Sequence, residues 1–316
     1  MSMIRRAWHV PELIIFVALV ALAAFFQSQN PLFLSWGNVT VLLRASAFTG
    51  IVAVGMGFLL ISGMIDISIG SIAGLASVAT GIASAWLHVP WWASLVMGVL
   101  LGGFAGFLNS RLILKFKVSA FLATIATMYI YRGAAMSLSN GYTIYPLPQA
   151  VTDFGAAAPL GVSWAWWIFF SLIIAGELVL RRTIWGMTVK ATGSDRIIAF
   201  DNEVNVDRVN TQTFILCGAL AALAGILLTA RVQAGQPTMG QGWELNAIAA
   251  AAIGGVSLSG YTGSMVGVLL GVLLIQVLTN GLVALGASAY LQPIEVGVIL
   301  ACTAIIDVRR RAKLNL

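Results

Sequence analysis

The feature that most constrains this chain is a succession of apolar runs, most of them about as long as a bilayer is thick. A helix needs roughly 20 apolar residues to cross hydrocarbon. Ten runs can be counted, near 11–28, 39–62, 69–88, 90–112, 118–138, 162–181, 210–232, 243–259, 262–285 and 290–308. The eighth is short and interrupted by Gly254-Gly255. In lipid every backbone N–H and C=O needs an internal partner, which leaves helices and closed barrels. The runs lack the alternation a barrel requires. The sequence therefore predicts an all-α polytopic membrane protein of about ten transmembrane helices, a single domain over residues 1–316. Composition agrees, with 59% hydrophobic and only 9% charged residues, where soluble domains carry about 25% charged.

The formal net charge of +6 does not point to nucleic acid, because the basic residues collect in short stretches between apolar runs. Arg5 and Arg6 precede a first run that reads as an uncleaved helix, since Gln27-Ser28-Gln29-Asn30-Pro31 offers no small-residue cleavage pattern. With the amino terminus in the cytoplasm, the inner segments hold Arg5, Arg6, Arg111, Lys115, Lys117, Arg181, Arg182, Lys190, Arg196, Arg208, Arg309, Arg310, Arg311 and Lys313, fourteen of the seventeen basic residues. The outer segments, including 139–161, hold none. This bias sets both termini in the cytoplasm. Gly98, Gly102 and Gly106 line one face of the fourth run, and Gly263, Gly267 and Gly271 one face of the ninth. Small residues four apart let helices approach closely. Each stripe lies on the third helix of a block of four, so helices 2–5 and 7–10 read as an inverted repeat.

Chemistry-bearing residues are few. Asp66 lies in Gly63-Met64-Ile65-Asp66-Ile67-Ser68-Ile69-Gly70-Ser71 at the inner end of the second run. It reads equally as a pin for the inner gate of a pathway or as a capping carboxylate at a cytoplasmic turn, where a helix starting near Ser68 offers free N–H groups. Arg132 follows Tyr129, Ile130 and Tyr131 near the outer half of the fifth run, where it faces a pathway or snorkels to headgroups. Trp243, Glu244 and Asn246 open the eighth run on the outer side, as a first-turn dipole partner or part of a vestibule. Glu177 and Arg181 stand at ion-pair spacing. Asn280 and Glu295 are further pathway candidates. Cys217 and Cys302 read as core hydrophobes. His9 and His88 flank runs singly, and neither a metal-ligand spacing, a nucleophile–base set nor a phosphate-binding GxxxxGK[ST] motif is present. No catalytic or metal-binding role follows, so any ATP hydrolysis belongs to another chain.

Residues 183–211 form the one substantial cytoplasmic loop. Ser194-Asp195 is a helix start, followed by Ile197, Ile198, Ala199 and Phe200. That much apolar surface on a short exposed helix calls for a partner, a second protein or this chain's own inner face.

Three stretches resemble the permease subunits of bacterial ABC importers for ribose, xylose and related monosaccharides. They are Gly63–Ser71; Phe121-Leu122-Ala123-Thr124 with Tyr131-Arg132-Gly133; and Glu244-Leu245-Asn246-Ala247-Ile248-Ala249-Ala250 with Ile253-Gly254-Gly255-Val256-Ser257-Leu258-Ser259-Gly260. The resemblance covers nearly the whole chain. It implies a permease dimer in the bacterial inner membrane, identical copies or paralogues, with the path between them. It also implies a separate ABC-type ATPase, often two fused nucleotide-binding domains, that holds the ATP and Mg, and a periplasmic sugar-binding protein. The 183–211 loop matches the family's coupling segment, which assigns ATPase contact to Gly193, Ser194, Asp195, Arg196, Ile197, Phe200, Asn202, Glu203 and Asn205. Gly186-Met187, Thr192-Gly193-Ser194, Asn202-Glu203 and Asn246 depart from the family pattern. The alternative reading is a gradient-driven carrier with Asp66 and Glu295 as coupling groups.

Overall fold

The structure, a computed structural model, describes residues 11–314, with side chains over 12–288 and 290–305. Arg5, Arg6, His9 and the side chains of Arg309, Arg310, Arg311 and Lys313 lie outside this description. The described residues form thirteen α-helices and no strand. In chain order they are α1 (Pro11–Gln29), α2 (Trp36–Ile61), α3 (Ile69–Gly81), α4 (Trp91–Phe116), α5 (Ala120–Ser139), α6 (Gln149–Ala156), α7 (Trp164–Arg182), α8 (Ile184–Ser194), α9 (Arg196–Asp201), α10 (Val206–Val232), α11 (Trp243–Ile253), α12 (Met265–Ala284) and α13 (Gln292–Leu314).

Seven of them are long and apolar enough to cross a membrane: α1, α2, α3 with the π-helical turn Ile82–Trp86, α4, α7, α10 and α12. The chain is a polytopic membrane protein. α5 has 20 residues but carries Thr124, Thr127, Tyr129, Tyr131 and Arg132. α11 and α13 offer shorter apolar stretches.

α2, α3 and α10 form the centre, and the other long helices surround them with apolar side chains turned outward. α10 packs on α4, α2 and α3, while α2 packs on α12, α7 and α11. The glycine stripe of α4 works as its spacing predicts. A side chain at Gly102 would collide with Ala222 and the Gly218 carbonyl, and one at Gly106 with the Phe214 carbonyl. The second stripe meets a different kind of neighbour, since Gly267 and Gly271 abut Gly254 and Ala250 at the end of α11. Of the two cysteines, Cys217 is buried as expected, whereas Cys302 is exposed on α13.

Two spans depart from single continuous helices. α2 ends in a Schellman turn in which Met64 N donates to Leu59 O and Gly63 N to Leu60 O, both at 2.9 Å. Gly63 takes φ +76°, a conformation that favours glycine. The chain then runs without helix through 62–68 before α3 begins. The second departure is a non-helical segment, 233–242, rich in Gly and Pro, which separates α10 from an α11 of only 11 residues. The eighth apolar run therefore stops at Ile253, and not near 259 as its hydropathy suggests, because Gly255 at φ +85° turns the chain.

Residues 183–211 are more ordered than a loop. α8 occupies 184–194, α9 follows at once, and α10 starts at Val206, earlier than the apolar run. Trp185 explains the extra helix, since its ring lies against Phe58 of α2 and its indole N–H donates to Gln212 Oε1 at 2.8 Å.

Candidate functional site

The two non-helical segments meet inside the bundle. The end of the protein that carries Arg181, Arg182, Lys190 and Arg196 is its basic end, and α12 starts there. Its first amide, Met265 N, donates to Glu177 Oε2 at 2.7 Å, and Ser264 Oγ donates to Glu12 Oε1 at 2.7 Å. Glu177 also pairs with Arg181, so the spacing-based ion pair is present and doubles as a helix cap. α11 runs antiparallel to α12 with Gly254 on Gly267. The ten-residue step back to Glu244 places that carboxylate about 15 Å farther from the basic end. Glu244 therefore does not open a helix at the outer surface, as the eighth run implies. Segment 233–242 descends along α3 first, with Gly235 beside Gly81 and Gly240 beside Gly70.

α3 also starts deep. Asp66 reaches Asn109 of α4, seven residues before that helix ends, or about 10 Å in from its basic end. The amino-terminal ends of α3 and α11 thus face one another inside the bundle, with Gly70 in the first turn of one against Gly240 O and the Glu244 carboxylate of the other. Both ends carry the partial positive charge of a helix dipole. Each has its own carboxylate, Asp66 before α3 and Glu244 in the first turn of α11.

Asp66 is fully buried. Its Oδ1 accepts from Ser68 N at 2.8 Å and Ser68 Oγ at 2.6 Å, and its Oδ2 accepts from Asn109 Nδ2 at 2.9 Å. The second Asn109 amide hydrogen goes to Ser68 Oγ at 2.8 Å. Tyr131 Oη lies 3.0 Å from Asn109 Oδ1 and 2.9 Å from Ala105 O, sharing its proton between them. Every donor in this cluster is used, and the carboxylate is held by hydrogen bonds alone. Asp66 thus braces Ser68, the residue that precedes α3, and accepts from none of that helix's own first-turn amides.

Arg132, next to Tyr131, serves the opposite side. Its Nη1 donates to Pro237 O and Met239 O, tying α5 to the descending segment. It also interacts with Glu244. Inward pairing, not snorkelling to the outer headgroups, is therefore where its charge goes.

The remaining candidates fall elsewhere. Tyr129 is 70% exposed on the outer face of α5. Trp243 and Asn246 are half-buried on α11. Asn280 exchanges amide hydrogen bonds with Asn38 at 2.9 and 3.3 Å, clasping α12 to the start of α2. Glu295 accepts from Thr279 at 2.9 Å, between α13 and α12. Asn109 and Tyr131 are the members that sequence reasoning missed as site residues. A neutral amide in a glycine-rich apolar run gives no signal until a buried partner is known.

At the basic end, Gly193 sits where a side chain would strike Ile61 O and Tyr261 N. Tyr261 N donates to Ile61 O at 2.9 Å, and Arg196 Nη2 lies 3.1 Å from Met64 Sδ. Asp195 caps α9 through Ile197 N and Ile198 N at 2.8 and 3.1 Å, as its sequence position predicts. Ile197 and Phe200 remain 73% and 71% exposed. Ser194, Asn202, Glu203 and Asn205 are exposed beside them. Asn205 Oδ1 accepts from Arg208 N and so caps α10.

Compared with known proteins, residues 38–305 match the family model described as branched-chain amino acid transport system / permease component. The chain belongs to this permease family. The permease is 33% identical to the Ribose import permease protein RbsC of Escherichia coli K12 over 97% of this chain and 96% of the relative. It is 36% identical to the Bacillus subtilis protein of that name, over 94% and 92%, and 30% identical to the Xylose transport system permease protein XylH of Haemophilus influenzae, over 95% and 97%. No solved structure matches. The expected likeness to sugar-type ABC permeases is thus found, and the family consists of transport components rather than enzymes.

Proposed function

We propose that this permease is the membrane-spanning subunit of an ATP-driven importer for a monosaccharide or related polyol. It works in a bacterial inner membrane as one half of a permease dimer, with the path along the dimer interface. A separate ABC-type ATPase drives it, binding the ATP and Mg, and a periplasmic sugar-binding protein delivers the substrate. The observation that carries this reading is the docking surface at the basic end. α9 presents Ile197, Ile198 and Phe200 outward, while its neighbour Gly193 is seated on the end of α2 without room for a side chain. An apolar, rigidly backed face among exposed charged residues of both signs suits a protein partner in the cytoplasm.

The basic end then faces the cytoplasm, α5, α11 and α13 complete ten crossings, and both termini are cytoplasmic. The inverted repeat finds support in the packing. α4 lies on α10 as α12 lies on α2, α3 on α5 as α11 on α13, and α3 on α10 as α11 on α2. The relatives in which ribose and xylose are named match over nearly their whole length, which favours a sugar over the amino acids in the family's title.

The test is purification from the native host in mild detergent, with mass spectrometry of what co-elutes. A stoichiometric ABC-type ATPase, lost when Asp195, Arg196 and Phe200 are replaced by alanine, is the expected result. A permease that elutes without any ATPase contradicts the proposal.

A further inference from the structure

We infer that segment 62–68 is the link that carries movement of α8 and α9 into the junction of the two helix starts, with Asp66 as its inner anchor and Asn109 and Tyr131 as positioning residues. The inference rests on the importer reading for what moves α8, but the link itself is a property of this chain.

The segment is held at both ends. At the basic end Ile61 O accepts from Tyr261 N, Gly193 is pressed against the same carbonyl, and Gly260 is pressed against Gly193. Arg196, the first residue of α9, contacts Met64. Two residues further on, Asp66 is fixed to Ser68 and to Asn109 of α4, and Asn109 to Tyr131 of α5. The adjacent Arg132 holds Pro237 and Met239 of the descending segment. Between the clamps no helix intervenes, and Gly63 provides the turn. A short strip clamped at both ends and buried at the inner one transmits displacement as a unit, because packed interiors do not deform continuously.

The hydrogen-bond inventory says which variants break the anchor. Asp66→Ala leaves Ser68 Oγ, Ser68 N and Asn109 Nδ2 without their acceptor. Asp66→Asn does not. The Asn109 amide can turn over, accept from the new amide, and donate to Tyr131 Oη while Tyr131 keeps Ala105 O. Asp66→Asn therefore serves as the conservative rescue.

Hydrogen exchange on the permease alone in nanodiscs tests the link. The Tyr261 amide and the amides of 191–195 should exchange at least tenfold faster in Asp66→Ala and near the parent rate in Asp66→Asn. Acceleration confined to 66–70, or spread evenly over all helices, overturns the inference. In proteoliposomes containing the whole importer, sugar imported per ATP hydrolysed should fall at least tenfold in Asp66→Ala, with hydrolysis continuing, and recover in Asp66→Asn. Unchanged import, or parallel loss of import and hydrolysis in both variants, overturns it as well. A parent permease that recruits no ATPase defeats the importer reading, and the exchange measurement still decides the link.

Discussion

Tyr131 and Arg132 are consecutive on α5, yet they serve the two facing helix starts separately. Successive helical residues point about 100° apart. Tyr131 therefore turns toward α4, Asn109 and Asp66, while Arg132 turns toward the carbonyls of Pro237 and Met239. One turn of α5 thus ties both ends of the junction, and rotation of that helix cannot release one network without disturbing the other.

Removing the Tyr131 hydroxyl strands the buried oxygen of Asn109. Tyr131→Phe should lower stability by about 1–3 kcal/mol, the cost of a buried group left unpaired. Combined with Asp66→Asn the loss should exceed the sum of the single effects, because the turned amide then needs Tyr131 as its acceptor. A coupling of roughly 0.5–3 kcal/mol is the expected scale for residues in one network. Thermal unfolding in detergent of the four forms measures it, and strict additivity would refute the amide account.

The glycines of α4 and α5 make a matched control. Gly106 abuts the Phe214 backbone, whereas nothing stands within 4 Å of a side chain at Gly133. Gly106→Val should cost at least about 1–3 kcal/mol by overpacking, visible as lost monodisperse protein. Gly133→Ala, in a helix interior, should be neutral or stabilising by about 0.5–1 kcal/mol.

Much of this architecture was legible because lipid leaves the backbone so few choices. The apolar runs located ten of the thirteen helices, the eighth run overshooting its helix by six residues and the tenth stopping six short. Asp66 stood out because a carboxylate in an apolar run needs a reason. What stayed hidden is depth. Glu244 follows a long apolar run and so read as lying at the outer surface, although Gly235, Pro237, Gly240 and Gly242 mark ten residues that cannot hold a helix. Asn109 was invisible for another reason, since its role exists only through Asp66, 43 positions away. α8 went unseen because its apolar side rests on α2 and α10, which hydropathy alone does not reveal.

Arg132 and Glu244 should behave as a coupled pair. Arg132→Gln and Glu244→Gln each remove one charge from the junction, so each single variant leaves the other, half-buried charge without its counterpart. The double variant should be less damaging than the sum of the two, by roughly 0.5–3 kcal/mol. Thermal stability of the three variants against the parent gives the cycle. Additive losses would show that the two charges do not sense each other.

Asp195 and Phe200 separate helix formation from docking. Asp195→Ala removes the acceptor for Ile197 N and Ile198 N and should weaken α9 by about 0.5–2 kcal/mol. Phe200→Ala touches no internal contact of comparable weight and should leave thermal stability within about 0.5 kcal/mol while reducing ATPase recovery in pull-down. Equal ATPase recovery for Phe200→Ala and the parent would remove this face from the interface.

The importer claim is met most directly by uptake of radiolabelled D-ribose and D-xylose into proteoliposomes. These hold the permease with its co-purified ATPase and binding protein, and ATP is supplied or withheld on the cytoplasmic side. Accumulation of at least one sugar that requires ATP, the ATPase and the binding protein together is the predicted result. Accumulation by the permease alone, driven by a proton or sodium gradient without ATP, would contradict the account and make this chain a secondary carrier.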